Sequence, residues 1–249
     1  MKKRNLLPIK IGSFILLLFI WEMVAIYLNS STLPSITQIL KTLINEINDG
    51  EIFYHLAITL YRVFVSFLIA MLIGTFIGII MGNSKKIDAI LDGWNILFLN
   101  IPALVLIILS YVWFGLTEIA AIIAVSLNKI PNVVVTIREG AKAVDKEILD
   151  IAKIYKINGL KKFFVFYLPQ LYPYLIAAAR GGLALIWKIV LVVELLGRSN
   201  GVGFKLHEFF QFFDISSILA YTFAFVFIML FIEGFLFQPF EKKLNKWRI

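Results

Sequence analysis

Apolar residues in this chain come in long blocks joined by short polar connectors, and one connector is far longer than the others. The blocks cover residues 11–28, about 57–81, 90–114, 119–137, 172–196 and 215–237. Each is close to the ~20 residues that a helix needs to cross the hydrocarbon core of a bilayer. The pattern predicts an all-α integral membrane protein with about six transmembrane helices. Residues 33–50 read differently. Ile36, Leu40, Leu43, Ile44 and Ile47 recur at helical spacing with Lys41, Asn45, Glu46 and Asn48 between them. That alternation predicts a short amphipathic helix, lying at the membrane interface or packed on the spans.

The long connector runs from residue 138 to 169 and reads REGAKAVDKEILDIAKIYKINGLKKFFVFYLP. It holds Arg138, Lys142, Lys146, Lys153, Lys156, Lys161 and Lys162. A polar island of this length in a membrane protein is a place where a soluble partner can dock.

Composition supports the membrane assignment. Of the 249 residues, 60% are hydrophobic and 16% charged, against about 45–50% and 25% in soluble domains. The net charge of +8 is not a nucleic-acid signal, because the basic groups sort by connector. With six spans, the N-terminal Lys2-Lys3-Arg4, Lys85-Lys86, the island and the basic tail at residues 241–248 fall on one side. The opposite connectors hold Lys41, Arg198 and Lys205, with Arg62 near a span end. The positive-inside rule then predicts both termini and the island in the cytoplasm. The first block, with Glu22 inside it and no small-residue cleavage pattern after it, reads as a retained helix rather than a signal peptide.

Several residues within the spans invite explanation. Ala70, Gly74, Gly78 and Gly82 recur every four positions and let helix backbones approach closely, within one subunit or between two copies. Pro102 and Pro131 lie inside blocks three and four, where each removes a backbone donor and kinks a helix. Arg180 and Glu194 lie within about 40° of each other around block five but about 21 Å apart along it, so they cannot pair with each other. Charges at this depth face a cavity or a protein interior. Lining a solute path and pairing with a neighbouring helix are both open, and Lys188 and Lys129 raise the same question.

The chemistry of catalysis is not visible. There is no cysteine and no G-x-x-x-x-G-K-[ST] phosphate loop. His55 and His207 are too far apart in sequence to suggest a metal site, and no hydrolase motif is present.

The island resembles the EAA signature of the membrane subunits of binding-protein-dependent ABC importers. Asp150-Ile151-Ala152 matches its opening and Tyr167-Leu168-Pro169 its close. Ile151 stands where a small residue is usual, and Lys156 where a glycine is usual. Asn158-Gly159, two to three residues later, is then the expected bend. Leu33-Pro34-Ser35, Leu60-Tyr61-Arg62-Val63, Ile101-Pro102-Ala103, Val112-Trp113-Phe114-Gly115, Pro173, Arg180, Glu194 and Gly201-Val202-Gly203 follow the order of nitrate/sulfonate/taurine-type permeases.

The resemblance implies a type I ABC importer permease fold, with residues 1–32 as tail and first span and residues 33–249 as the permease core. Asp150, Ala152, Lys156, Asn158, Gly159, Leu168 and Pro169 would couple to the ATPase, with Pro169 fixing the turn from island to span. Arg180, Lys188 and Glu194 are candidate pathway residues. The implied assembly has two permease copies (a homodimer), two separate ATPase subunits that hold ATP and Mg, and a periplasmic solute-binding protein, in a bacterial inner membrane. The chain itself would bind no cofactor and no nucleic acid and would catalyse no reaction. A single-chain secondary transporter is the alternative. Internal repeats would favour it, and none is visible.

Overall fold

A computed structural model describes residues 7–48 and 50–237. The basic groups at Lys2-Lys3-Arg4 and at residues 241–248 lie outside them. Among the described residues the chain is all-helical. The elements are α1 (Leu7–Leu28), α2 (Ile36–Asn48), α3 (Glu51–Asn83), α4 (Lys85–Asn100), α5 (Ala103–Phe114) and α6 (Glu118–Lys142). They continue with α7 (Lys146–Ile154), α8 (Gly159–Lys162), α9 (Leu168–Gly197), α10 (Val202–Gln211) and α11 (Ile215–Ile232). A π-helical turn (Phe163–Tyr167) joins α8 to α9, and a second (Glu233–Phe237) follows α11. Five helices are long and apolar enough to cross a membrane, or six if the bent pair α4–α5 is one span.

The third block is not one straight span. It breaks between α4 and α5 with a bend of 95°. Pro102 caps α5 and cannot extend α4 through its missing N–H. Pro131 lies buried inside an unbroken α6.

Helices α3, α6 and α9 form the centre. The α3–α6 seam is where the small-residue stripe packs. A Cβ at Gly74 would lie 2.6 Å from Val133 Cβ, and one at Gly78 would lie 2.8 Å from Ile137 Cβ. Gly82 meets Ala141 in the same way. Both helix numbers rise together, so the two helices run parallel with one fixed register, and only small residues allow this approach. Around the seam, Ile107 and Tyr111 of α5 and Ile186, Val190 and Val193 of α9 complete one core. A second core joins Ile52 and Leu56 to Val202 and to Tyr221, Phe225 and Met229 of α11.

The amphipathic α2 packs on α11, where Tyr221 Oη donates to Glu46 at 2.9 Å. Helix α1 stands at the edge with apolar residues exposed along most of its length. Its attachment is local: Glu22 accepts from Ile36 N–H at 2.6 Å and from the Thr37 hydroxyl at 2.8 Å, and Trp21 Nε1 donates to Pro34 O.

A candidate coupling surface and a buried charge network

The island is more structured than its polarity suggests. Helix α6 runs into it as far as Lys142. Arg138 bonds Asp88 at 3.3 Å and also pairs with Asp92, while Lys142 reaches Asp88 at 2.9 Å. These two cations tie the base of α6 to α4. Asp145 caps α7 by accepting from Glu147 N–H at 2.8 Å, and its own N–H donates to Gln170 of α9 at 2.9 Å. Asn83 donates to Tyr167 Oη at 2.6 Å. Both ends of the island are therefore fastened to the bundle.

Within α7 the faces differ. Ala152 is fully buried, and Leu149 packs with Val144, Tyr167 and Leu171. On the other face Ile148, Ile151, Ile154 and Tyr155 are exposed, Ile154 by 77% and Tyr155 by 75%. Their spacing of three to four residues forms one apolar stripe. Ile151 belongs to that stripe, so the side chain that departs from the usual small residue points away from the bundle. Asp150 is exposed and bonded to Lys153 at 2.6 Å, and this ammonium holds its carboxyl below the usual range.

Lys156 explains the glycine usual at its position. Its φ is +51°, in the left-handed region that glycine adopts without strain. Ile157 N–H donates to Ala152 O at 3.0 Å and Lys156 N–H to Lys153 O at 2.9 Å. That pair of bonds is a Schellman ending of α7 with lysine where glycine is favoured. The bend is therefore at Lys156, not at Asn158-Gly159. Asn158 instead starts α8, its side chain accepting from Leu160 N–H at 3.1 Å, and Gly159 is the first residue of that helix.

Pro169 also differs from expectation. It is exposed, beside a half-buried Leu168, within a helical stretch that continues from residue 159 to 197. No turn separates island from span there. The preceding π-turn supplies the local adjustment that a proline inside a helix requires.

At the opposite end of the bundle a second constellation is buried. Arg62 of α3 has five N–H donors, and the structure shows five bonds from them. Glu118 takes two, at 2.6 and 2.9 Å; Glu194 takes one at 2.7 Å; Asn200 takes two, through its carbonyl at 2.9 Å and its side chain at 2.5 Å. Arg198 adds a further bond to Glu118 at 2.8 Å. Two cations and two carboxylates thus balance.

The same cluster caps α10. Gly201 N–H donates to His55 Nδ1, Val202 N–H to Thr59 Oγ1 and Gly203 N–H to Glu194 Oε2, at 2.9, 2.8 and 2.8 Å. These are helix-start donors that lack intrahelical partners. Gly201 has φ +106°, and a Cβ there would collide with the Glu194 carboxylate. Beside the cluster Lys205 bonds Glu51 at 2.7 Å and Glu208 at 3.1 Å. Burial works against its charge, but the two carboxylates outweigh it and raise its pKa.

The candidate pathway charges do not share one environment. Glu194 is fully buried and partnered as above. Arg180 is exposed and paired with Glu233 at 3.1 Å. Lys188 is exposed, its ammonium 5.6 Å from the Trp187 ring centre. Sequence reasoning placed Arg62 and Arg198 in or near connectors, did not single out Glu118, and joined none of them to Glu194. The pairing spans 132 residues between Arg62 and Glu194, and no local pattern encodes it. No cluster of metal-ligating groups occurs among the described residues.

Comparison with known proteins agrees with this architecture. The chain is 29% identical over 220 residues to a putative aliphatic sulfonates transport permease protein, SsuC, of Bacillus subtilis, covering 88% of this chain and 79% of that one. It is 26% identical over 246 residues to the taurine transport system permease protein TauC of Escherichia coli, covering 96% and 89%. A bicarbonate transport system permease protein, CmpB, of Synechococcus elongatus is 24% identical over 200 residues, covering 80% and 70%. Among solved structures, a chain of an amino acid ABC transporter superposes with a TM-score of 0.62 at 21% identity, covering 81% of this chain and 97% of that one, which establishes the shared fold. Residues 70–237 match the model of the binding-protein-dependent transport system inner membrane component, and the chain belongs to that family of ABC transporter permeases.

Proposed function

We propose that this chain is the membrane subunit of an ATP-driven importer for a small anionic solute. A separate ATPase docks on α7, and a soluble binding protein delivers solute at the opposite end. The observation that carries the docking assignment is the exposed apolar stripe Ile148, Ile151, Ile154 and Tyr155 on a helix outside every candidate span. An apolar stripe inside a polar, non-spanning segment marks a protein contact. The island is fastened to α4 through the end of α6 and to α9 through the α7 cap, which suits a part that must transmit force rather than deform.

In this reading ATP and Mg are held by the ATPase, and the permease performs no chemistry. The island and both termini face the cytoplasm of a bacterial inner membrane. Two copies of the permease flank the pathway, with two ATPase subunits beneath them. Alternating access is a shift between packings that open to either side. The anionic class is supported by relatives named for aliphatic sulfonates, taurine and bicarbonate. All three carry an anionic group.

The test is co-reconstitution with a cognate ABC ATPase and solute-binding protein. Ile151→Glu with Ile154→Glu is expected to abolish ATPase association and ATP-driven uptake of taurine, methanesulfonate or bicarbonate. Full coupling in that variant would remove α7 as the docking element. Uptake that proceeds without ATP would overturn the importer reading and favour a secondary transporter.

A further inference from the structure

We infer that Lys129 is the residue that receives the anionic group of the solute inside the membrane. This inference rests on the importer reading above and adds a site to it. Lys129 lies near the middle of α6 and is 5% exposed. It makes no ion pair or hydrogen bond among the described residues. An unpartnered ammonium at this depth is costly. Basic residues nearby are committed elsewhere: Arg62 to its five bonds, Arg180 to Glu233 and Lys188 to the Trp187 ring.

A second observation points to the same place. Ser66 Oγ, fully buried on α3, also has no partner. Ser66 O accepts from Ser126 Oγ at 3.5 Å, and Ser126 is one turn before Lys129 on α6. Ser66 thus lies beside Ser126, one turn along α6 from Lys129, and neither its hydroxyl nor the Lys129 ammonium has an acceptor among the described residues. Donors without acceptors are the complement of an oxyanion.

The third wall is built to leave room. The Lys129 stem lies against Gly182 of α9, where a Cβ would be 3.1 Å from Lys129 Cε and 3.9 Å from its Nζ. The adjoining Gly181 is exposed, with nothing within 4 Å of a Cβ built there. Helix α9 is therefore thin where it separates the ammonium from the outer surface of the chain. A small shift of α9 suffices to uncover Lys129 to a sulfonate, carboxylate or similar group.

The chain has no cysteine, which makes a single introduced thiol clean to read. Lys129→Met is expected to lower uptake of taurine and methanesulfonate about ten- to a hundredfold, as the loss of a charge-assisted bond implies. Its thermal midpoint in detergent is expected not to fall, because an unpartnered buried charge has been removed. Lys129→Cys is expected to fail similarly and to recover when aminoethylation with 2-bromoethylamine rebuilds the ammonium. The same thiol in membranes should react with 2-sulfonatoethyl methanethiosulfonate once the ATPase and ATP are present.

Wild-type uptake in Lys129→Met would overturn the inference. So would a fall in thermal midpoint accompanying the lost uptake, since Lys129 would then be structural. If the wild-type complex showed no ATP-driven uptake of any anion tested, the importer reading would fail. The site would then stand or fall on the thiol reaction, and no reaction in any nucleotide state would eliminate it.

Discussion

The two ends of this bundle are built on opposite plans. At the Arg62 end, charges are buried, every donor of the Arg62 guanidinium is used, and the backbone of α10 hangs on the same side chains. At the α7 end, charges lie on the surface and the apolar groups are exposed. The first plan fixes a geometry at the expense of tolerance. The second keeps a surface free for something else, and fastens only its edges. A transporter needs both: a part that holds helices in register and a part that is gripped from outside.

The contrast makes graded predictions. Arg62→Ala leaves Glu194 buried without its cation, and breaking such a pair costs about 3–5 kcal/mol. Thermal unfolding in detergent should show a larger loss for it than for any substitution at the α7 end or in the α3–α6 seam. A loss under about 1 kcal/mol would mean that water enters the network and the contrast is overstated. Glu194→Gln should cost less, because its side-chain oxygen still accepts from Gly203 N–H.

Gly78→Val drives a branched side chain into Ile137 and the Val134 carbonyl, and overpacking of this kind costs about 1–3 kcal/mol or more. The same replacement at Gly93, where a Cβ would meet nothing within 4 Å, should leave the midpoint nearly unchanged. The pair tests whether tight packing is confined to the α3–α6 seam.

At the α7 end the sign reverses. Lys156→Gly relieves a left-handed residue whose strain is about 1–2 kcal/mol, offset by the extra chain entropy of glycine of about 0.5–1 kcal/mol. A small rise in thermal midpoint is expected, and a fall would show that the lysine side chain holds the turn in some other way. Smallest of all, Ile154→Ser should change stability by no more than about 0.5 kcal/mol while weakening ATPase association in a pull-down. A large stability loss there would show that the stripe packs on this chain rather than on a partner.

Much of the architecture was legible because its signals are local. Span-length apolar blocks, the amphipathic α2 and the four-residue spacing from Ala70 to Gly82 are all patterns within single elements. The bend at Pro102 was legible as a kink, but its size of 95° depends on how α4 and α5 pack and not on the proline alone. The turn after α7 was misplaced for a definite reason. Asn-Gly is a strong bend signal, while a lysine at φ +51° carries none; the Schellman bonds around it override its side-chain preference. The Arg62 network was illegible because its members come from α3, α6, α9 and the loop before α10. Arg62 and Arg198 looked like ordinary connector charges, Glu194 stood out as a charge within a span but without a visible partner, and only the packing of α3, α6 and α9 brings them together.

That parallel packing has a mechanical consequence. With Gly74, Gly78 and Gly82 seated on Val133, Ile137 and Ala141, α3 and α6 interlock like a keyed joint, with no play for sliding or rolling. Helices α3 and α6 therefore travel as one beam. Any rearrangement of this protein has to hinge beside that beam, at the break between α4 and α5 or near Gly181 of α9, where a Cβ would meet nothing within 4 Å.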